Sequence, residues 1–250
     1  MSPNPPEFVF ADPPPLTGER TLPGIPEENY WFQRHVVAYE FAAARIAGKR
    51  VLDAGCGEGY GANILTASAG EVVGVDVEAS IVARARERYP SARFEPADLD
   101  ALPFPDASFD AVVTLQVIEH MRHPSDFLAQ LHRVLKPGGT LIVSTPNRLT
   151  FSPDGVRNPF HTVEFSPAEL RAQVARSFTV LQMLGTFHGR RIRLTERATR
   201  RSFPERLIST PAPEWSKRLR AAVARITTRD FSISSDGVDG ALDLIVVAQR

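Results

Sequence analysis

The chain is poor in cysteine, lysine and long apolar runs, and each shortage excludes a class of protein. A single cysteine, Cys56, cannot build an intrachain disulfide framework and fits a reducing compartment. No apolar run approaches the roughly 20 residues that span a bilayer. The start, "MSPNPPEFVFADPPPLTGER", lacks the basic-then-apolar order of a signal peptide, so a cytoplasmic protein is expected. Basic and acidic side chains balance at 29 each, leaving no global field to attract a nucleic acid or an anionic membrane. Only Lys49, Lys136 and Lys217 supply ammonium groups, and none lies beside the motifs described below.

What is present reads as one α/β domain with an elaboration, since 250 residues can bury one large core. Eight prolines in residues 1–26 forbid regular structure there. Phe8, Phe10, Leu16, Leu22 and Ile25 nevertheless predict an arm packed on the body. A helix is expected from Glu27 to Ala47, stopped by Gly48, so that residues 1–48 form an arm and helix ahead of a domain over 49–250. From Arg50, strand and helix signals alternate: "RVLDAG", "ANILTASA", "EVVGVDV", "ASIVARARERY", "ARFEPAD", "FDAVVTLQVIEH", "PSDFLAQLHRVL", and a strand "TLIVSTPN" launched by the turn "KPGG". That alternation predicts a parallel sheet with right-handed crossovers and helices on both faces. Ser166, Pro167 and Glu169 mark another helix start. "FTVLQMLGTF" and "LDLIVVAQR" close the pattern as strands, separated by a basic, helical insertion over 188–230.

Chemistry enters with "VLDAGCGEGYG", whose Gly55, Gly57, Gly59 and Gly61 follow the first strand and precede a helix. Glycines there let backbone N–H groups approach a ligand at the carboxyl end of the sheet. Asp76, at the end of the second strand, can accept hydrogen bonds from both hydroxyls of a ribose. A dinucleotide fingerprint would need glycine at the position of Tyr60, and Asp53 would repel a pyrophosphate. An ammonium would instead be welcomed, which favours S-adenosylmethionine: a sulfonium and an ammonium, with no phosphate.

Residues 50–147 resemble the class I S-adenosylmethionine-dependent methyltransferases, through "VLDAGCGEGYG", "GVDV", "ADLDALPFPDASFDAVVTLQVIEH" and "VLKPGGTLIVSTPN" in that order. The resemblance implies a Rossmann-like, seven-stranded, mostly parallel sheet with an antiparallel last strand. It implies that Asp53, Gly55 and Gly57 line the methionine end of the donor, with Cys56 as a small filler. Asp76, followed by Val77, would hold the ribose. Asp98, before Leu99, would meet the adenine amino group, and Gln116 would make a backbone contact near the methionine.

Glu119, His120 and His161 offer one oxygen and two nitrogens at the same edge of the sheet, a set able to hold a divalent ion or to form a metal-free polar site. The pattern "QVIEH…H-x-x-E-F-S" is similar to that of small-RNA 2′-O-methyltransferases and ubiquinone-pathway O-methyltransferases. That likeness implies magnesium on these three residues, which then also carry the catalysis. This chain departs from the pattern at the first glutamate, which is Gln116.

"LTGERTLPGIPEENYWFQRHVVAYE" resembles the start of sugar- and polysaccharide-associated methyltransferases. There Arg20 would suit the donor carboxylate. Tyr30 and Trp31 could wall the acceptor or, with Phe32, staple the helix onto the core, and His35 with Tyr39 one turn later is read as facing the acceptor. Over its length the chain is most similar to the mycobacterial sugar O-methyltransferases of methylmannose polysaccharide synthesis, in particular one acting at the anomeric hydroxyl of a 3-O-methylated mannoside. The expected acceptor is therefore an oligosaccharide, with no nucleic acid or membrane partner and a homodimer left open. An RNA 2′-hydroxyl and an isoprenoid phenol are the alternatives, and a non-catalytic donor-binding module is a third reading.

Overall fold

A computed structural model describes residues 21–199, 202–208 and 212–250. The described residues fall into two compact units, those within Met1–Val37 and His188–Ser232, and those of Ala38–Phe187 with Ile233–Arg250. Among the described residues no helix is long and apolar enough to cross a membrane.

The larger unit begins within α1 (Asn29–Ala43) and alternates through β1 (Arg50–Ala54), α2 (Tyr60–Leu65), β2 (Glu71–Asp76), α3 (Ala79–Arg88), β3 (Arg93–Pro96) and β4 (Phe109–Leu115). It continues with α4 (Pro124–Val134), β5 (Leu135–Pro146), the short α5 (Arg148–Phe151), α6 (Pro167–Val174) and β6 (Thr179–His188). The last two strands are β7 (Phe231–Ser234) and β8 (Asp243–Gln249). The strand order is β3-β2-β1-β4-β5-β8-β6-β7, so the described residues hold eight strands where seven were expected. The extra one is the four-residue β7, too short to show an alternating pattern and placed directly after the helical insertion. Strands β3 to β5 pair in parallel, and β8 runs antiparallel between β5 and β6.

Two boundaries also move. The first helix is a 3-10 turn at Pro26–Glu28 followed by α1, which stops at Ala43, and Gly48 takes a positive φ of 69° beyond it. "KPGG" does not precede β5 but lies inside it: Leu135 already pairs with Phe109, and the register shifts before Ala111 meets Thr140. The glycines absorb that irregularity, Gly138 at φ 76°.

The period-2 alternation of strands sorts the sheet's two faces. Leu52, Val73, Val75, Leu141 and Val143 share one core with Leu131 of α4 and Leu170 of α6. Each such apolar side chain stabilises the fold by roughly 1.5–3 kcal/mol when fully buried. Asp53 lies between Leu52 and Ala54 in β1, so it faces the opposite side, where Tyr39 of α1 reaches it. The Ser166 capping box forms as expected, with Glu169 returning the bond to the Ser166 N–H. At the end of β5 the fully buried Asn147 donates through Nδ2 to the carbonyls of Asp239 and Ala241, at 3.0 and 2.9 Å. That clamp fixes where the 148–165 loop leaves the sheet.

The smaller unit is helical across the insertion, with α7 (Arg190–Thr199), α8 (Phe203–Ile208) and α9 (Lys217–Ala224). Tyr30 is its aromatic centre: fully buried, 2.7 Å from His188 Nε2, and flanked by the rings of Phe203 and Phe231. Asn29 donates to the carbonyls of Val223 and Ile226, and Arg191 pairs with Asp230.

Candidate functional site

The glycine loop at the end of β1 is built for backbone donors. Gly55, Gly57 and Gly59 have φ of 82°, 49° and 83°, a region other residues rarely enter. Gly55 is also held by space, because a Cβ there would lie 2.4 Å from Val117 Cγ2. The loop therefore touches the segment that follows β4. Gly57 donates its N–H to Asp76 Oδ2 at 3.1 Å, and Asp76 Oδ1 accepts from the Glu78 N–H at 3.1 Å. Those bonds hold the Asp76 carboxylate, half-buried, beside the loop. Val77 next to it is 70% exposed, an apolar surface at the end of β2. Asp98 is exposed and turns on itself, accepting from the Asp100 N–H, while Leu99 is buried.

Asp53 is fully buried, with Oδ1 accepting from the Tyr39 hydroxyl at 3.2 Å and Oδ2 without a partner among the described residues. Burial pushes its carboxyl up to about 7, the Tyr39 bond opposing and Asp76 adding to the rise. Cys56 is buried, and burial followed by the charges of Asp53 and Asp76 raises its thiol well above its ordinary range. A neutral, buried thiol is a filler and not a nucleophile.

Beyond β4 the chain makes a tight reversal. Gln116 holds a left-handed φ of 59°, unusual for a side chain of its size, with its N–H on the Ser144 carbonyl at 3.0 Å. Its Nε2 donates to Ser144 Oγ at 3.1 Å, which places a neutral amide at the end of β4. A 3-10 turn over Ile118–His120 then presents Glu119 and His120. The 148–165 loop is tied onto this turn by Thr162, whose N–H and hydroxyl both donate to the Glu119 carbonyl, at 2.8 and 3.0 Å. His161 arrives with it, its ring stacked on Phe151 and edge-on to His120 at 5.2 Å.

The three side chains meet: Glu119, His120 and His161 each offer a ligand atom, all within 4.8 Å of one another. His120 Nδ1 lies 3.0 Å from the Phe160 carbonyl, which can only accept, so Nδ1 carries the proton and Nε2 a lone pair. His161 Nδ1 lies 2.9 Å from Glu164 Oε1, which fixes the same tautomer when the imidazole is neutral. Burial holds the His161 imidazole below its ordinary pKa, against the pull of Glu164. Glu119 is buried, with Oε2 unpartnered among the described residues. Burial pushes its carboxyl up to about 8, and the charges of Asp243 and Glu164 add to that. One oxygen and two outward nitrogens, each imidazole oriented by a second group, fit a divalent cation. Mg2+ prefers oxygen ligands, whereas two imidazole nitrogens bind the later first-row divalent metals more strongly.

Other expected residues lie elsewhere. Arg20 and residues 1–19 of the arm fall outside the described residues. Tyr30 and Trp31 stack edge-on at 4.8 Å in the smaller unit, where His35 is half-buried. Tyr39 is buried on Asp53. Glu164 stands in the pattern "H-x-x-E-F-S" without a role of its own there, and the structure gives it one, as the partner of His161 three residues before it. Sequence reading missed Asp243, buried at the start of β8 and 3.5 Å from Gln116 Nε2, for which no local signal exists.

Residues 52–143 match the family model described as a methyltransferase domain. The chain is 45% identical over 244 residues to a probable S-adenosylmethionine-dependent methyltransferase of Mycolicibacterium smegmatis, covering 94% of this chain and 95% of the relative. A protein of the same description from Mycobacterium tuberculosis is 43% identical over 258 residues, 99% of this chain and 94% of its own. Among solved structures, a Thermotoga maritima S-adenosylmethionine-dependent methyltransferase aligns with a TM-score of 0.62 at 20% identity, covering 90% of this chain and 95% of that one. That last likeness is one of fold.

Proposed function

The chain belongs to the S-adenosylmethionine-dependent methyltransferases, and on that premise we propose that it methylates a sugar hydroxyl with help from a divalent cation. One observation supports the oxygen acceptor and the cation: the convergence of Glu119, His120 and His161, in a segment whose Val117 packs on Gly55 of the glycine loop. An N-methyltransferase needs no such set, because a neutral amine is already nucleophilic. An aliphatic hydroxyl is poorly acidic and needs help to lose its proton.

On this reading Asp53 receives the donor's ammonium, the Gly55–Gly57 backbone lines its methionine end, and Asp76 holds the ribose. Val77 and Leu99 supply apolar surface for the adenine, with Asp98 for its amino group. Glu119, His120 and His161 would hold the cation, which would supply Lewis acidity to an acceptor hydroxyl and make its proton easier to lose. The acceptor hydroxyl gives its proton to solvent, its oxygen takes the methyl carbon in line, the carbon–sulfur electron pair stays on sulfur, and S-adenosylhomocysteine leaves. Gln116 adds no negative charge near the site, so Glu119 is the carboxylate of the set.

The sugar is favoured by the resemblance to methylmannose polysaccharide enzymes, which names the anomeric hydroxyl of a short 3-O-methylated mannoside. A free anomeric hydroxyl beside a 2-hydroxyl is a chelatable diol. The test is transfer of a labelled methyl group to reducing 3-O-methylmannosides, to the same sugars blocked at the anomeric oxygen, to phenols and to RNA. Labelling of the reducing sugars alone is expected. Labelling of phenol or RNA with the sugars silent would overturn the acceptor while leaving the cofactor.

A further inference from the structure

Gly61 stands inside helix α2 with no positive φ, so its backbone does not require glycine. Space does. A Cβ on Gly61 would fall 2.0 Å from Tyr39 Cζ and 2.3 and 2.4 Å from the neighbouring ring carbons. The last glycine of the loop therefore leaves room for an aromatic ring from α1, not for a ligand. That ring is pinned edge-on by Tyr60 at 5.9 Å. Its hydroxyl reaches 3.2 Å to Asp53 Oδ1. Asp53 is left with one oxygen satisfied and the other, Oδ2, buried and without a partner among the described residues.

An unpartnered oxygen on a fully buried carboxylate is costly unless a ligand completes it. An aspartate swings about its own side-chain bonds unless something holds one oxygen. Here the holder comes from outside the glycine motif, across 14 residues of sequence. We propose that Tyr39 is a positioning residue for the methyl donor: its hydroxyl fixes Asp53 so that Oδ2 meets the donor's ammonium. This rests on the reading of Asp53 as the ammonium acceptor. Gly61 belongs to the same device, because any side chain there would displace the Tyr39 ring. Tyr39 is thus assigned to the donor and not to the acceptor.

Two ligands separate this role from general packing. S-adenosylhomocysteine carries the ammonium, whereas 5′-methylthioadenosine shares its adenosine and sulfur but lacks the amino-acid part. Tyr39→Phe keeps the ring over Gly61 and removes only the hydroxyl. Calorimetry should show S-adenosylhomocysteine weakened about tenfold, the scale of one hydrogen bond to a charged group. Affinity for 5′-methylthioadenosine should not change. Asp53→Asn should show the same selective loss, and adding Tyr39→Phe to it should cost nothing further. Equal weakening of both ligands by Tyr39→Phe would mean general damage and would overturn the proposal. So would unchanged S-adenosylhomocysteine binding in Tyr39→Phe when Asp53→Asn weakens it, a result that leaves the donor site itself standing. If Asp53→Asn also binds S-adenosylhomocysteine normally, the reading of Asp53 fails and takes the role of Tyr39 with it. Should Tyr39→Phe not fold, Gly61→Ala displaces the ring from its other side and carries the same two-ligand comparison.

Discussion

His161 Nδ1 and Glu164 Oε1 lie 2.9 Å apart, both side chains buried, and Glu164 Oε1 is itself held by the Asn158 N–H at 3.1 Å. The pair decides which nitrogen His161 turns toward Glu119 and His120. Glu164→Ala should leave the imidazole free to rotate and lower affinity for Mn2+ by about ten- to a hundredfold, the usual effect of losing an outer-shell partner. Glu164→Gln, which still accepts from Nδ1–H, should lose less. Mn2+ titration followed by electron paramagnetic resonance checks this; equal affinity in Glu164→Ala and wild type would deny the pair its orienting role.

Asp76 is expected to accept from the donor's ribose while keeping its bond from the Gly57 N–H. Hydrogen bonds to a charged acceptor contribute about 1.5–3 kcal/mol each, so Asp76→Ala should weaken S-adenosylhomocysteine by about ten- to a hundredfold. Calorimetry on the variant, with a thermal melt to show that it folds, settles the matter. Wild-type affinity would remove the ribose contact.

The pH dependence of stability follows from Asp53. Its carboxyl titrates near 3.8 in the ordinary case and near 7 when folded. Between those values the folded protein keeps a proton that the unfolded chain has released, so Asp53 makes stability fall as pH rises. The slope is about 1.4 kcal/mol per pH unit for one proton and vanishes above the folded value. Asp53→Asn should remove that share. Urea melts between about pH 5 and pH 7 measure it, and an unaltered slope in the variant would contradict burial as the cause.

The arginines of the insertion predict weak nucleic-acid affinity. Arg193 and Arg197 of α7 are exposed, while Arg191 and Arg220 are engaged with Asp230 and Glu27. No ladder of aromatic side chains alternates with them to stack bases. Binding to a generic RNA should vanish by physiological salt. A gel shift that survives that salt would return RNA to the list of acceptors.

Much of this was legible in the chain, for identifiable reasons. Strong periodicity in "RVLDAG", "EVVGVDV" and "FDAVVTLQVIEH" marked three parallel strands, and Ser166 with Glu169 marked a helix start that the structure caps as expected. "KPGG" reads as a turn locally, yet the pairing of Leu135 with Phe109 draws it into β5. The sheet's neighbours decided that, not local propensity. The convergence of Glu119, His120 and His161 could be anticipated because loops after β4 and β5 leave the same edge. The direction of Tyr39 could not: helical spacing fixes which face of α1 it shares, but not which strand end lies opposite that face. The left-handed Gln116 was hidden as well, since glutamine has no preference for it.

The most direct measurement is methyl transfer to a reducing 3-O-methylmannoside in the presence of chelator, with donor saturating, followed by addition of Mg2+ or Mn2+. Activity of the wild type should fall to background in chelator and return with the added ion. His161→Ala should bind S-adenosylhomocysteine like the wild type yet stay at background, whichever ion is supplied. Full wild-type activity in chelator would contradict the account: Glu119, His120 and His161 would then act without a cation, with an Nε2 lone pair of His120 or His161 taking the hydroxyl proton.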